Sequence, residues 1–296
     1  MVDVGINDGD LLLVCDRDDG RIVTIDGEVL LSGLIHPHGM VLLDDGVVIS
    51  EEGKLTRYDS NFENPEVLVQ GIPSGNHQTN AVNLLPNGTL IWHSGSTCNH
   101  CDEDDSRNAA LLWVNATTGE HGILATGVRN SFDGVWVDEI GYLFTDNGQD
   151  AEGNDFPNEE VNLLVDGADY GWLVESKSDP NPDGTEAPVA TWTPHTSVNG
   201  MTTRPANMPG DKYTVYATVY GSWATILPAG HQILKIDFTQ TDDGWVGDVE
   251  IFAEDVGTPL PITGGPDGNL YYATFDHGGS VHVISPEANW WSSSSD

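Results

Sequence analysis

Six pairs of short apolar strands, each pair joined by a turn that contains glycine, constrain the fold of this chain more than any other feature. The turn glycines are Gly9, Gly46, Gly88, Gly141, Gly210 and Gly268. Their spacing ranges from 37 to 69 residues, around the ~40–50 residues of a propeller blade, with insertions in the middle units. The repeat predicts an all-β chain that folds as a six-bladed β-propeller.

Each strand pair is followed by a further short strand of alternating or continuous apolar residues, as in buried strands. These strands cover residues 20–26, 54–59, 109–115, 159–165, 231–238 and 280–285. No apolar period of 3.6 residues is sustained, so we expect no core helix. We expect a single domain over residues 1–296, in which a strand from elsewhere completes the last blade. The blades should lie near residues 1–32, 33–72, 73–127, 128–199, 200–258 and 259–296.

The chain is strongly acidic, with 47 Asp and Glu against 10 Lys and Arg and a formal net charge of -37. The acids are scattered along the chain, which indicates an acidic surface and not an acidic tail. Such a surface repels phosphate backbones and anionic lipids, so nucleic-acid and membrane-surface partners are disfavoured. No run approaches the ~20 apolar residues of a transmembrane helix. The acidity suggests the hypothesis of a halophilic protein whose charges are screened by high salt.

The three cysteines of the chain are Cys15, Cys98 and Cys101. Because their number is odd, at least one thiol lies outside any disulfide framework. The segment Cys98-Asn99-His100-Cys101 is compatible with a small-loop disulfide, with inert thiols or with a metal site. A single CxxC is weak evidence for zinc, so we favour the disulfide or the inert thiols.

Two long loops interrupt the repeat, near residues 95–109 and 147–200. Long loops on a rigid β scaffold often carry function, and in a propeller they can crowd one end of the central channel. We expect a functional role for the first half of the second loop. Residues 175–190 are rich in Pro and Asp and should form a solvated surface.

Five segments occur in the same order as the landmarks of one known family. They are IHPHGM at 35–40, the segment 71–115 that begins GIPSGNHQTN, GVRNSFDGVWVDEIGYLFTDNGQD at 127–150, NEEVNLLVDGADYGW at 158–172 and YGSWATILPAGHQILKI at 220–236. On these segments the chain resembles the quinoprotein glucose and sorbosone dehydrogenases, over roughly residues 8–285. The NHQ and RN elements, followed by EEVNLL and DYGW, are specific together, whereas each alone is weak.

The resemblance implies a six-bladed propeller that binds pyrroloquinoline quinone with calcium at the mouth of its channel. Members of this family oxidise the anomeric carbon of an aldose, or an aldehyde hydrate, by hydride transfer to the quinone. The implied partners are a small-molecule sugar substrate and an external electron acceptor. The resemblance also implies an extracytoplasmic or secreted location, although the first residues, MVDVGINDGD, do not resemble a leader.

By this resemblance, His77 matches the general base that removes the substrate hydroxyl proton. Histidine suits that role because its unperturbed pKa of ~6.5 allows proton uptake near neutral pH. Gln78 would orient substrate or cofactor, and Asn147 stands where family members carry an amide contact to the cofactor. Arg129 and Asn130 match the RN pair that contacts the quinone oxygens. A guanidinium at that position can stabilise the negative charge that develops on the quinone, a catalytic role for Arg129.

Gly148 and Gln149 fall where family members use two successive backbone carbonyls to hold the cofactor calcium. Calcium prefers several oxygen ligands, and a turn that contains glycine allows the backbone to approach closely. Acids further along the same loop form a candidate second, structural calcium site. They are Asp150, Asp155, Glu159 and Glu160. A plain acidic surface explains these acids equally well.

The last two blades depart from the family pattern. Family members carry Lys or Arg there to neutralise the quinone carboxylates, but residues 220–230 and 256–268 contain no basic residue. Arg204 and Lys212, in neighbouring loops, are the candidates to replace them. Two other functions therefore stay open. One is a non-redox propeller that binds a carbohydrate or a partner, and the other is a calcium-dependent lactonase-like propeller.

Overall fold

The computed structural model describes residues 3–6, 12–222, 229–275 and 279–286. Gly9, residues 223–228 and residues 287–296, all of which the sequence analysis assigns to blades, lie outside these ranges. The described residues form β-strands joined by turns and loops, and they contain no helix. Accordingly, no membrane-spanning helix is found in this part of the chain.

The strands of the described residues form six antiparallel sheets, in which they follow chain order. The first sheet contains β1 (Asp3–Ile6), β2 (Leu12–Asp16), β3 (Arg21–Thr24) and β4 (Val29–Ser32). The second contains β5 (Gly39–Leu43), β6 (Gly46–Glu51), β7 (Lys54–Asp59) and β8 (Glu66–Gln70). The third contains β9 (Thr79–Leu84), β10 (Thr89–Ser94), β11 (Ala110–Asn115) and β12 (His121–Thr126).

The second half of the chain continues the same pattern. The fourth sheet contains β13 (Gly134–Val137), β14 (Gly141–Asp146), β15 (Glu159–Leu163) and β16 (Ala190–Trp192). The fifth contains β17 (Val198–Thr203), β18 (Thr214–Val219), β19 (Gln232–Thr241) and β20 (Gly244–Glu254). The sixth contains β21 (Pro259–Gly264), β22 (Leu270–Thr274) and β23 (Val281–Ile284).

The first strands of the sheets lie side by side in a ring. Strand β5 contacts β1 and β9, β13 contacts β9 and β17, and β21 contacts β17 and β1. The ring therefore closes between the first and last sheets, and the predicted six-bladed β-propeller is confirmed. Within the described ranges the sixth sheet has three strands, and no strand from elsewhere pairs with β23.

Glycine allows the inner strands to approach one another closely. A Cβ on Gly39 in β5 would lie 2.7 Å from the Cα of Ala81 in β9, and one on Gly200 in β17 would lie 2.4 Å from Leu260 O in β21. No side chain fits in such gaps, so close packing at the channel requires glycine here. The amide of Ala81 also donates to Phe132 O at 3.2 Å. The loops that precede β5, β9 and β13 therefore meet at one end of the channel.

The apolar core lies between neighbouring blades, because each sheet packs both of its faces against the next sheets. Trp92 in β10 is fully buried there and donates its indole Nε1–H to Ser50 Oγ in β6 at 2.7 Å. Between the fourth and fifth sheets, the buried Thr145 hydroxyl donates to Asn199 O at 2.8 Å. Buried polar groups that are paired across two blades hold the blades in register. They give the loops at the channel mouth a rigid base.

Candidate functional site

A cleft of about 350 Å³ opens at one end of the channel. It is formed by loops that enter the first strands of blades two, three and four, and by turns between second and third strands of blades one and two. Its lining residues are Arg17, His36, His38, Glu52, Ser74, Gly75, Asn76, His77, Gln78, Asn80, Asn130 and Phe132. The cleft brings together His77, Gln78 and Asn130 from the sequence-predicted site.

Ser96, which follows the end of β10, holds the imidazole of His77. Nδ1 of His77 lies 2.8 Å from Ser96 Oγ and 3.2 Å from Ser96 O. The Ser96 hydroxyl donates its own proton to Cys98 O at 2.7 Å. Its oxygen can therefore only accept from His77, which assigns the imidazole proton to Nδ1. The lone pair then lies on Nε2, where a general base needs it.

The surroundings of His77 keep its ring neutral. Burial and the positive charge of Arg129 lower the pKa of His77 from 6.5 to about 3, although its hydrogen bond to Ser96 acts in the opposite direction. The ring is therefore a proton acceptor at every physiological pH. Arg129 lies close enough to oppose a positive charge on the imidazole, which makes His77 a weak base in the absence of a neighbouring anion.

Gln78 is buried and connects the walls of the cleft. Its Oε1 accepts from Arg17 NH2 at 3.0 Å, and its Nε2 donates to His36 O at 3.1 Å. Nε2 also lies 3.4 Å from Nδ1 of His38. Burial and the charge of Arg17 lower the pKa of His38 to about 3. The neutral His38 ring, which accepts at Nδ1, carries its proton on Nε2, and that buried nitrogen has no partner among the described residues.

Arg17 is a cation of the cleft that the sequence analysis did not identify. It extends from the turn between β2 and β3, and its side chain is 27% exposed. The candidates proposed instead do not line the cleft. Arg204 donates to carbonyls of its own loop, including Met208 O at 2.9 Å, and Lys212 pairs with Glu139 on the surface.

Arg129 is buried, and protein acceptors surround its guanidinium. Nε and NH2 donate to Asn99 O at 3.3 Å and to Asn99 Oδ1 at 2.9 Å. NH1 donates to Asn147 O at 3.1 Å, and NH2 also donates to Asp150 Oδ2 at 3.0 Å. Arg129 lines a small second cavity and not the cleft. Arg129 therefore acts on His77 through its positive charge, and not as a side chain that lines the cleft.

Asn130 lines the cleft, and Asn147, which does not line it, is bonded to Asn130. Asn130 Oδ1 accepts from Asn80 Nδ2 at 3.0 Å, and its backbone N–H donates to Asp146 Oδ1 at 2.8 Å. Asn147 Nδ2 donates to Asn130 O at 3.2 Å and to Asn199 Oδ1 at 3.3 Å. The buried Asn147 Oδ1 has no partner in the described part of the chain. It is an acceptor that a ligand or ion could use.

The backbone turn at Gly148 and Gln149 has two carbonyls that other described residues leave without a hydrogen-bond donor. Among the described residues, neither carbonyl oxygen accepts a hydrogen bond. A Cβ on Gly148 would lie 2.3 Å from Pro157 Cγ, so glycine is required for the turn to pack there. The Gln149 side chain is bonded through Oε1 to His100 Nδ1. The turn therefore offers two backbone carbonyl oxygens, and calcium prefers oxygen ligands.

The small cavity beside Arg129 is lined by three carboxylates, Asp146, Glu160 and Glu175. Burial, as the main cause, raises the pKa of Asp146 to about 6, of Glu160 to about 8 and of Glu175 to about 7. The charge of Asp146 contributes to the shifts of the two glutamates. Acids that repel one another in this way can be ionised together when a cation binds among them.

The four acids of the candidate second calcium site are not brought together. Only Glu160 lines the small cavity. Asp155 is exposed and pairs with Lys177, and Asp150 pairs with Arg129. Glu159 is buried, its Oε1 accepts from Ser197 N at 3.0 Å, and burial raises its pKa to about 8.

Asp146 and Glu175 are carboxylates that the sequence analysis missed. Asp146 ends β14, one residue before Asn147, and accepts the backbone N–H groups of residues 129, 130 and 147. Glu175 follows the DYGW element by three positions. Their proximity to recognised motifs was the available signal. In a chain with 47 acids, that signal does not stand out.

The cysteines adopt one of the alternatives left open by the sequence. Cys98 and Cys101 form a disulfide, and Cys15 is buried in β2 outside it. The sulfur atoms lie near Glu103, but that carboxylate accepts from Thr97 N and Thr97 Oγ1. With both sulfurs oxidised, this group does not offer thiolate ligands to a metal.

Comparison with known proteins supports the fold. No family model matches the chain. An uncharacterized protein from Borreliella burgdorferi is 26% identical over 72% of this chain, and the chain spans 62% of that protein's length. Among solved structures, the holo PQQ domain of pyranose dehydrogenase from Coprinopsis cinerea superposes with a TM-score of 0.75. It is 16% identical, with 96% of this chain and 92% of that one covered.

Two further structures share the fold. The PQQ-bound aldose sugar dehydrogenase from Streptomyces coelicolor has a TM-score of 0.72 at 20% identity, over 95% of this chain and 92% of its own. A calcium structure of a carbohydrate-active enzyme of family AA12 from Trichoderma reesei has a TM-score of 0.74 at 15% identity. The match covers 96% of this chain and 92% of that one. The chain therefore shares the propeller fold of these three proteins.

Proposed function

We propose that this chain is a dehydrogenase that uses pyrroloquinoline quinone and calcium to oxidise a sugar at its anomeric carbon, or an aldehyde hydrate. Electrons would then pass to an external acceptor. The observation that carries the proposal is the arrangement of His77. Ser96 holds its Nδ1–H and leaves Nε2 as a proton acceptor in a polar cleft. The fold, shared with PQQ-bound dehydrogenases, is consistent with this role.

Residues of the cleft, together with the 147–149 segment, would hold the quinone and its calcium. The carbonyls of Gly148 and Gln149 and the Oδ1 of Asn147 have no partner among the described residues, and they are hard oxygen donors suited to calcium. Gly148 lines the small cavity beside Arg129 and not the cleft. Arg17 offers a cation to a cofactor carboxylate, and Asn130 offers an amide. When bound, the quinone and calcium would supply a hydride acceptor polarised by a divalent ion.

The protein's own residues would position the substrate and move its proton. His77 Nε2 would accept the proton of the hydroxyl group whose carbon is oxidised, while Ser96 keeps the ring oriented. Gln78 would fix the wall of the cleft through its bonds to Arg17 and His36. Arg129 would contribute a fixed positive charge, which stabilises negative charge that develops nearby.

We infer that a second cation, in a structural role, would bind at the small cavity. Asp146, Glu160 and Glu175 replace most of the acids first considered for that site. A divalent ion there would tie β14, β15 and the segment after DYGW together below Arg129. The disulfide between Cys98 and Cys101 supports an extracytoplasmic location, since such bonds persist in oxidising compartments.

A non-redox carbohydrate-binding propeller is the second candidate. The hydrogen bonds of Arg129 favour this candidate, because its guanidinium already donates to Asn99, Asn147 and Asp150 and not to a quinone. The test that separates the candidates is reconstitution of the purified protein with quinone and calcium in molar salt. We expect the absorbance spectrum of bound quinone and dye reduction with an aldose. Sugar binding without either signal would favour the non-redox propeller, and hydrolysis of a lactone would favour the lactonase-like one.

A further inference from the structure

A four-residue loop closed by a disulfide lies beside the cleft and contacts several residues of the proposed site. Cys98 and Cys101 close the loop, which lies between β10 and β11. Its inner residues, Asn99 and His100, have partners on the segment that follows β14. The loop therefore connects blade three to blade four at the end of the channel where the cleft opens.

Asn99 makes the most contacts from this loop to the site. Its backbone carbonyl accepts from Arg129 Nε at 3.3 Å and from Trp172 Nε1 at 3.2 Å. Its Oδ1 accepts from Arg129 NH2 and from Asp150 N, both at 2.9 Å. Its Nδ2 donates to Asp150 O at 3.0 Å. One residue thus holds the guanidinium of Arg129 and both polar backbone groups of Asp150.

The two neighbours of Asn99 contact other residues of the site. Cys98 O accepts the Ser96 hydroxyl proton at 2.7 Å, and this bond makes Ser96 Oγ an acceptor for His77. His100 Nδ1 is bonded to Gln149 Oε1. The loop is therefore linked to the base, to the cation and to the turn that carries the candidate calcium ligands.

Asparagine is well suited to this position. Its amide offers an acceptor and a donor together, so it can pair with both backbone groups of Asp150 as a neighbouring strand would. Pairing at Asp150 restrains the backbone directly after Gly148 and Gln149. The disulfide limits the conformations of the loop, so these contacts are formed with a smaller loss of entropy than in an open loop.

We propose that Asn99, in the disulfide-closed loop 98–101, is a positioning residue that holds Arg129 and the 148–150 turn of the proposed site. Asn99 does not line the cleft and acts through the residues that it bonds. Opening the disulfide would release this hold and would allow the His77 ring to change tautomer. The catalytic part of the inference rests on the proposed dehydrogenase function, whereas the structural part does not.

Two variants and one control test the inference. Asn99→Ala removes the side-chain bonds to Arg129 and Asp150, and Cys98→Ser with Cys101→Ser opens the loop. The control, Asn115→Ala, also removes an asparagine that caps a turn, since its Oδ1 accepts from Thr117 N and Thr118 N. It is the last residue of β11, before the turn to β12, and it does not line the cleft. Near-UV circular dichroism first establishes that each variant is folded.

Binding and turnover form the first set of measurements. Calorimetry with calcium in the presence of quinone should show at least a tenfold weaker calcium affinity for Asn99→Ala. Its kcat should fall about tenfold or more while KM changes less, because misplaced groups affect the reaction more than substrate binding. Asn115→Ala should match the parent in both measurements.

Nuclear magnetic resonance provides the second set and needs no cofactor. The Arg129 Nη2 protons, one of which bonds to Asn99 Oδ1, should exchange slowly with water in the parent and more rapidly in Asn99→Ala. The ¹⁵N shifts of His77 should report Nδ1–H in the parent and a mixture of tautomers in the double cysteine variant. A parent that shows these signatures but neither binds quinone nor oxidises sugar would reject the dehydrogenase and retain the positioning role.

The positioning role has its own contradicting results. If both variants keep slow Nη2–H exchange at Arg129 and a pure Nδ1–H tautomer at His77, the loop does not hold the site. The same conclusion follows if an active Asn99→Ala enzyme keeps the parent's calcium affinity. Equal changes in Asn115→Ala would trace the effects to general destabilisation and would also overturn the proposal.

Discussion

Ser96 Oγ lies 2.8 Å from Nδ1 of His77 and donates its own proton to Cys98 O. This pair of bonds, together with Ser96 O at 3.2 Å from the same nitrogen, places the imidazole proton on Nδ1 and leaves Nε2 to act as a base. Without the acceptor on Cys98, the Ser96 hydroxyl could donate to Nδ1 and compete with the bond from Nδ1–H to Ser96 O. The backbone of a neighbouring loop thus selects the tautomer that the proposed reaction requires.

Replacing the base should abolish turnover and retain the cofactor. His77→Gln removes the proton acceptor, so we expect dye-linked sugar oxidation to fall by about 10²-fold or more. Quinone binding, measured by absorbance titration, should stay close to that of the parent. His121→Gln is the matched control, because the His121 ring is bonded to Gly119 O and does not line the cleft. Turnover that survives in His77→Gln would remove His77 from the mechanism.

Removing the charge of Arg129 should affect both the base and the cofactor. Because Arg129 lowers the pKa of His77, Arg129→Ala should raise that pKa toward 6.5, as followed by an NMR titration of the His77 ring. The variant should also bind quinone less tightly and turn over more slowly. Arg107→Ala, which removes a guanidinium paired with Asp105, should leave the His77 titration unchanged. An unshifted pKa in Arg129→Ala would show that the two side chains are not coupled.

Calcium should stabilise the protein more at pH 8 than at pH 5. In the folded protein, the pKa values of Asp146, Glu160 and Glu175 are raised to about 6, 8 and 7. The folded state therefore binds more protons than the unfolded state, and the stability from these groups is lost as pH rises through those values. Calcium binds the ionised forms and offsets their repulsion, so its effect on the thermal midpoint should grow with pH.

Glu160→Gln should reduce that calcium effect, because it removes one carboxylate from the small cavity. Glu63→Gln, at an exposed position, is the control and should leave the effect unchanged. Calorimetry in buffers of different ionisation enthalpy should show proton release on calcium binding below pH 7. A calcium effect on the thermal midpoint that is equal at pH 5 and pH 8 would argue against the small cavity as a cation site.

The fold was accessible from sequence because its signals are local. Apolar residues alternate within a strand, and a glycine such as Gly88 or Gly268 stands between two strands. Both signals can be recognised from residues that are neighbours in the sequence. The position of Arg17 was not accessible, since its bond to Gln78 spans 61 residues and joins two blades. The position of Glu160 beside Asp146 and Glu175 in the small cavity likewise depends on how a long loop packs against β14. The oxidation of Cys98 was left open because spacing alone does not decide it.

High salt should stabilise the protein. A formal charge of -37 produces self-repulsion that favours the unfolded chain, and molar salt reduces the screening length to ~3 Å. The thermal midpoint should therefore rise steadily from low salt to molar potassium chloride. Sucrose at equal osmolality is the control for effects that are not ionic. A midpoint that responds equally to sucrose and to salt would contradict halophilic adaptation.

Arg17 should supply the positive charge for an anionic ligand, a charge that residues 220–230 and 256–268 lack. It lines the cleft and is bonded to Gln78 and to the exposed Asp18, so Arg17→Gln should cost little stability. Loss of one charge-assisted contact to a carboxylate should weaken quinone binding by about tenfold, as measured by absorbance titration. Lys212→Gln is the control, because Lys212 was the alternative cation and pairs with Glu139 away from the cleft. If Lys212→Gln weakens binding and Arg17→Gln does not, the cofactor carboxylates lie elsewhere on the channel mouth and the assignment of Arg17 is wrong.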